Sequence, residues 1–299
     1  MISAVPRKKK RFMTSVSLVI LCTILVLYSI SLLAPLAWSL LTAFKDELAF
    51  RGAINDSLLW DLIGLNNLTF ENFATAYERF ELTIDGTPVS MIPMFINSIL
   101  YAGGCAIVAT AVPTVVSYLV ARYEYKLGSV VYTIVLITMA IPIVGSLPAE
   151  MSMISMLGLE DSLFALFILK FNFLSIYFLV LHAQFKVIPK DYTEAAEIDG
   201  ASDWYVMTKI IFPIAFGTIS TVFIMMFIQF WNDYQTPQIY WRSGPVVAYG
   251  LFQIMNGGLG KSTPVKLSAT VMVALPILVI FGIFNKKIMS NMSIGGVKG

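Results

Sequence analysis

Few residues able to do chemistry in this chain stand where they could do it together. His182 is the only histidine in 299 residues, and Cys22 and Cys105 are the only cysteines. A single imidazole gives a His-based metal cluster or a Ser-His-Asp triad little to build on, and His182 reads as a residue at the inner end of an apolar run. The two cysteines also fall in apolar runs, without metal spacing or a disulfide framework, and read as small hydrophobes. Gly260-Lys261-Ser262 is like the end of a phosphate-cradling loop, but the full pattern needs a glycine five positions before Gly260, where Met255 stands. Any ATP used by this protein is therefore a partner's. Two groups remain. Lys170 and Asn172 interrupt an apolar run, and Glu194, Glu197, Asp199 and Asp203 cluster in a polar stretch between two such runs.

The elements that hold these groups follow from composition. The chain is 58% hydrophobic and 13% charged, against about 45–50% and 25% for soluble domains. Residues 12–44, 86–121, 127–149, 210–232 and 267–285 contain no charge, and 162–185 contains only Lys170. Crossing a bilayer takes roughly 20 apolar residues as helix, because hydrocarbon offers free backbone groups no partners. The chain thus reads as an all-α integral membrane protein. Six spans are expected, near 15–42, 92–121, 128–148, 163–184, 210–232 and 266–285.

With the N-terminus inside, thirteen of the 20 Lys and Arg fall in inner segments, six in outer ones, and Lys170 in a span. The inner set is Arg7 to Arg11, Arg122, Lys126, Lys186, Lys190, Lys209, Lys286, Lys287 and Lys298. This excess makes both termini cytoplasmic. The basic start before an apolar stretch is expected to lead an uncleaved first span rather than a signal peptide, because that stretch runs to Phe44, beyond a typical h-region. The expected layout is a cytoplasmic tail at 1–14, a six-span transmembrane domain at 15–285 and a cytoplasmic tail at 286–299. Within the domain lie an outer loop at 45–91 and a cytoplasmic loop at 186–209.

In the outer loop, Asn67 or Thr69 can cap a helix through Tyr77 and Glu78. It reads as either a contact for an external partner or a solvated connector. Trp231, Tyr234, Tyr240, Trp241 and Tyr249, in or at the edge of the loop between spans five and six (about 233–265), suit an interfacial aromatic belt, and Trp231 and Tyr234 are also candidates to line a translocation path. A lysine within a span usually faces a bundle interior or a wet cavity. Lys170 and Asn172 are accordingly path candidates, unless span four starts later and Lys170 reaches the interface.

The cytoplasmic loop is the most informative stretch. Asp191 can cap a helix, with Glu194 three residues on as in a capping box. Ala195 and Ala196 form helix readily and allow close approach. Gly200 can take positive φ and end that helix. Ser202 can cap a second short helix through Trp204 and Tyr205, and Pro213 then opens span five. The acidic charge here runs against the positive-inside trend, which suits a protein partner better than lipid headgroups.

Glu194-Ala195-Ala196, Gly200 and Ile210-Ile211-Phe212-Pro213 are similar to the EAA loop of ATP-binding-cassette importer permeases, with Phe212 where that pattern usually has Leu. Asn97-Ser98 opening span two, Ile188-Pro189 before the loop and the six-span layout also fit. The ending Gly295-Gly296-Val297-Lys298-Gly299 resembles the carbohydrate branch typified by the smaller membrane subunit of the maltose transporter. The resemblance implies type I importer architecture in a bacterial or archaeal cytoplasmic membrane. It implies that Glu194, Ala195, Ala196, Asp199, Gly200 and Ala201 couple the chain to a cytoplasmic ATPase dimer, and that the tail residues Gly295, Gly296, Lys298 and Gly299 reach that ATPase. The other implied partners are a second homologous permease, an extracytoplasmic solute-binding protein, a sugar and the bilayer, with no nucleic acid. ATP and Mg belong to the ATPase; this chain is expected to bind no cofactor or metal and to be no enzyme. The alternatives are an importer for a non-sugar solute, a secondary transporter, and a purely structural subunit. A secondary transporter would need more ionisable groups in its spans than Lys170.

Overall fold

A computed structural model describes the backbone of residues 7–55, 66–123, 125–141, 145–258 and 262–292. Within these, it describes side chains outside 7–16, 53, 55 and 285–292. The tail residues Gly295, Gly296, Lys298 and Gly299, and Gly260-Lys261, lie outside the described residues.

The helices in chain order are α1 Arg7–Ala43, α2 Glu47–Asn55 and α3 Glu71–Arg79. A hairpin of β1 Glu81–Ile84 and β2 Thr87–Ser90 follows. Then come α4 Met91–Arg122, α5 Lys126–Ala140, α6 Leu147–Met156, α7 Leu163–Leu169, α8 Ile176–Val187 and α9 Asp191–Ile198. The last four are α10 Asp203–Asn232, α11 Gln235–Tyr240, α12 Val247–Gln253 and α13 Thr263–Met292. Contacts divide the chain into two units, Met1–Arg79 with Leu259–Met272, and Phe80–Gly258 with Val273–Gly299.

Among the described residues, four helices are long and apolar enough to cross a membrane: Ser17–Ala43, Met91–Arg122, Asp203–Asn232 and Thr263–Phe284. Lys126–Ala140 and Ile176–Val187 are apolar but shorter. Two expected spans therefore need correction. The run 128–148 is not one helix. It stops at Ala140, where Ile141 turns extended (φ −98°, ψ 115°), as the residue before a proline must when the α region is sterically disfavoured. The run 163–184 is broken over 170–175. There the Asn172 side chain accepts the Leu174 N–H at 2.8 Å, a local bond that competes with the helical ladder.

In the first unit the end of α1 is tied down by side chains. Asn72 donates to the Ala43 and Lys45 carbonyls at 3.0 and 2.7 Å, and Ser268 donates to Ala43 at 2.7 Å. These fill acceptors that a helix end leaves free. Phe44, Phe70 and Phe73 cluster beside them. The α3 cap is as expected, with Thr69 Oγ1 accepting from Glu71 N–H at 3.1 Å. The apolar window of α1 itself is unburied.

The second unit is built around α4, with α8 and α10 against it. Tyr101, Cys105, Tyr118, Leu181, Phe185 and Trp231 form its core. Close packing leaves no room for a side chain at several glycines, Gly104 and Gly250 among them. A Cβ on Gly104 would stand 2.3 Å from the Phe167 ring, and one on Gly250 would stand 2.5 Å from the Phe80 ring. Ser98 and Asn97 anchor the start of α12. Ser98 Oγ accepts the Val247 N–H at 2.8 Å, and Asn97 donates to the Pro245 carbonyl at 3.0 Å.

Candidate functional site

Ile188 is extended (φ −69°, ψ 125°) because Pro189 follows it. That ends α8 and leaves carbonyls without helical partners. Arg122, in the last turn of α4, fills the gap. It donates to the Ile188 carbonyl at 2.7 Å, to the Pro189 carbonyl at 3.3 Å and to Thr193 Oγ1 in a short contact. A rigid fork of donors suits this multiple role better than an ammonium would. The start of α9 is thus fastened to the end of α4.

Asp191 is the first residue of α9, and no side chain caps that helix. The expected cap and capping box are therefore not formed. Asp191 and Glu194 instead sit in the first turn, where negative charge is favoured by the helix dipole. At the other end, Gly200 takes φ +78°. Its N–H donates to the Glu197 carbonyl at 3.0 Å, and the Ala201 N–H donates to the Ala196 carbonyl at 2.9 Å. This pair of bonds is the Schellman termination. Nothing lies within 4 Å of a Cβ on Gly200, so its requirement is conformational rather than spatial.

The two alanines differ. Ala195 is exposed, while Ala196 is only 8% exposed and packs inward. Ile198 is 86% exposed and Trp204 is 70% exposed. They stand among the exposed carboxylates of Glu194, Glu197, Asp199 and Asp203. The exposed stretch 194–204 thus carries both acidic and large apolar side chains.

Ser202 caps the next helix as expected, accepting from Tyr205 N–H at 3.4 Å. That helix is not a separate piece, however. Residues 203–205 pass through a π turn at Val206–Ile211 directly into Phe212–Asn232. Pro213 lies in the first turn after it and has no N–H, so a local change of hydrogen-bond register accommodates it. Phe212 packs with Tyr118 and Phe185 at centroid distances of 5.8 and 6.0 Å. An aromatic at that position completes a three-ring cluster behind the loop. Burial first, then the Tyr118 hydroxyl and the Asp203 charge, hold the Tyr123 hydroxyl well above the usual tyrosine range.

The four path candidates are not brought together as one lining. Lys170 is half-buried, with its Nζ 5.2 Å from the centre of the Phe230 ring. Asn172 is exposed. Trp231 is 2% exposed, donates to the Val273 carbonyl at 3.3 Å and packs on Phe95 and Phe227, which makes it a core residue. Tyr234 stacks on Phe252 at 4.4 Å. A pair that sequence reasoning missed joins the buried Tyr101 to the half-buried Asp233, with Tyr101 donating at 2.8 Å. Asp233 in turn accepts from the Gln235 and Thr236 N–H groups at the start of α11.

Residues 113–292 match the family described as binding-protein-dependent transport system inner membrane component. A diacetylchitobiose uptake system permease of Streptomyces coelicolor is 24% identical over 281 residues, covering 91% of this chain and 86% of the relative. A melibiose/raffinose/stachyose import permease of Bacillus subtilis is 28% identical, over 78% of this chain and 82% of the relative. A trehalose/maltose transport system permease of Thermococcus litoralis is 25% identical, over 92% and 94%. The fold is like that of a chain in a bacterial ABC transporter involved in import of the acidic polysaccharide alginate, with TM-score 0.72, 18% identity, and 95% of this chain and 99% of that one covered. The matched family region takes in the Arg122 clamp, the Gly200 termination and the apolar helices around them, and this chain belongs to the family of binding-protein-dependent transport system inner membrane components.

Proposed function

We propose that this multi-pass inner-membrane protein is a permease subunit of an ATP-driven importer for a saccharide, and that α9 is its docking helix for a partner ATPase. What supports the coupling reading is an exposed acidic helix, α9, that carries the exposed Ile198, ends at Gly200 and is fastened to α4 through Arg122. A lever transmits force only if its contact is fixed, and alternating access is then rocking of helix groups about that contact. ATP binding in the partner supplies the state-dependent affinity such a shift needs. The saccharide class rests on the relatives, which are named for diacetylchitobiose, melibiose, raffinose, stachyose, trehalose and maltose.

In this reading the chain crosses six times with both termini inside. The short helices α5 and α8 are completed by adjoining segments, as discontinuous spans can be where they line protein or a cavity. Lys170 and Asn172 sit at the break in the fourth crossing and face the path. Glu194, Ala195, Asp199 and Gly200 serve the ATPase contact, with Ala196 and Ala201 shaping it from within. The partners are a second permease, an ATPase dimer that brings ATP and Mg, and an outer solute-binding protein. The tail residues Gly295, Gly296, Lys298 and Gly299 belong to the ATPase side.

The test is co-purification and uptake with the full transporter. Gly200→Asp and Glu194→Lys are expected to insert normally, lose the ATPase on purification and lose uptake. Normal uptake by both refutes the coupling role. Binding of a panel of saccharides and non-sugar solutes to the cognate binding protein decides the cargo, and selective binding of a non-sugar solute would overturn the saccharide reading.

A further inference from the structure

Between the ends of α4, α5 and α8, beside the start of α9, lies a cavity of about 890 Å³. We propose that this cavity binds a phosphate-ester anion, as carried by the headgroup of an acidic membrane lipid or by free phosphate.

Its lining is basic and hydroxylated, with Arg122, Lys186 and Lys190 facing Tyr125, Ser129 and Tyr132. No carboxylate is among its described lining residues. Three of the five Arg122 N–H donors go to Ile188, Pro189 and Thr193, so Arg122 contributes chiefly its field. Lys186 is exposed and forms no ion pair among the described residues. Its ammonium can donate directly to phosphate oxygens. The Tyr132 ring is held 4.7 Å from His182, which makes a firm wall. Asp203 hydrogen-bonds Tyr123, which lines the α4 end of the cavity, whereas Lys186 lies on α8. Basic pockets between helices at the cytoplasmic side of a membrane are suited to anionic headgroups. An occupant here lies against the Arg122 junction and adds a tie between α8 and α9.

The inference rests on the inward placement of this end of the helices, as proposed above. The purified full chain is examined by native mass spectrometry with phosphatidylglycerol, with phosphatidylcholine, and with inorganic phosphate. Preferential retention of phosphatidylglycerol is expected. Affinity should fall about fivefold for each lysine lost in Lys186→Gln/Lys190→Gln and should be retained in Lys186→Arg/Lys190→Arg. Binding of inorganic phosphate that depends on the same lysines, without lipid preference, supports the site and assigns it to a free anion. Equal phosphatidylglycerol retention by wild type and the Gln variant, with no phosphate binding, overturns it. Both variants must melt with the wild type for these readings. Placement is read separately, by labelling Ser129→Cys in a chain lacking Cys22 and Cys105. Labelling only from outside would sink the inward placement and leave the lipid count intact.

Discussion

Arg122 and Thr193 are 71 positions apart, yet the Arg122 guanidinium donates to the Thr193 hydroxyl while also holding the Ile188 carbonyl at 2.7 Å. One side chain therefore joins the last turn of a long apolar helix to the first turn of the exposed acidic helix α9.

Arg122→Ala should loosen α9 without preventing insertion. Hydrogen bonds from a charged group contribute about 1.5–3 kcal/mol each, so loss of the fork should raise exchange at amides 190–200 at least about tenfold. Arg122→Lys should recover only part, because one ammonium cannot reach all three acceptors in the same geometry. Hydrogen exchange on the full chain measures this. Unchanged protection in the alanine variant would mean the clamp carries no load.

Gly200 separates conformation from volume. A side chain there meets no neighbour but must adopt φ +78°, at about 1–2 kcal/mol for most residues and less for Asn. Gly200→Asn should keep most uptake, and Gly200→Val should lose it while still inserting. Equal uptake by the two would show that the left-handed turn is not what transport requires.

Gly250 tests close packing. Its missing Cβ leaves room for the Phe80 ring and the Met94 sulfur, which would stand 2.5 and 2.7 Å from it. Gly250→Ala should lower stability by about 1–3 kcal/mol through overpacking, and Phe80→Leu should relieve part of that. Thermal melts in detergent report both, and additive losses in the double variant would count against direct contact.

Lys170 and Phe230 should be coupled. A cation over an aromatic face gains about 0.5–2 kcal/mol. Lys170→Met and Phe230→Leu should therefore be non-additive by about 1 kcal/mol in unfolding. Uptake by Lys170→Met is expected to fall if Lys170 faces the path, and normal uptake would remove it from the path.

Much of this molecule could be read locally. The apolar helices, the Thr69 and Ser202 caps and the Gly200 termination follow from neighbours in the chain, because helix propensity, capping and positive φ are short-range constraints. Two local signals were present and passed over. Asp85-Gly86 closes the β1–β2 hairpin with both residues at positive φ, a standard two-residue turn pair. Pro142 forces extended backbone before it, which ends α5 at Ala140, earlier than the uncharged run 127–149 suggests. An uncharged run records hydrophobicity but not continuity of the ladder.

Other features needed the tertiary fold. Which side chain fills the carbonyls freed at Ile188 and Pro189, which hydroxyl caps Val247, and which alanine of the pair faces out all depend on segments far apart in the chain. Trp231 has the composition of a path residue and the position of a core one. A polar group left over by local structure must find a partner when buried, and the chain order does not name it. Residue types alone mark the acidic exposed loop and the apolar helices that carry it. Packing decides the Arg122 clamp that ties the loop to the helices, because that clamp exists only once the end of α4 meets the start of α9.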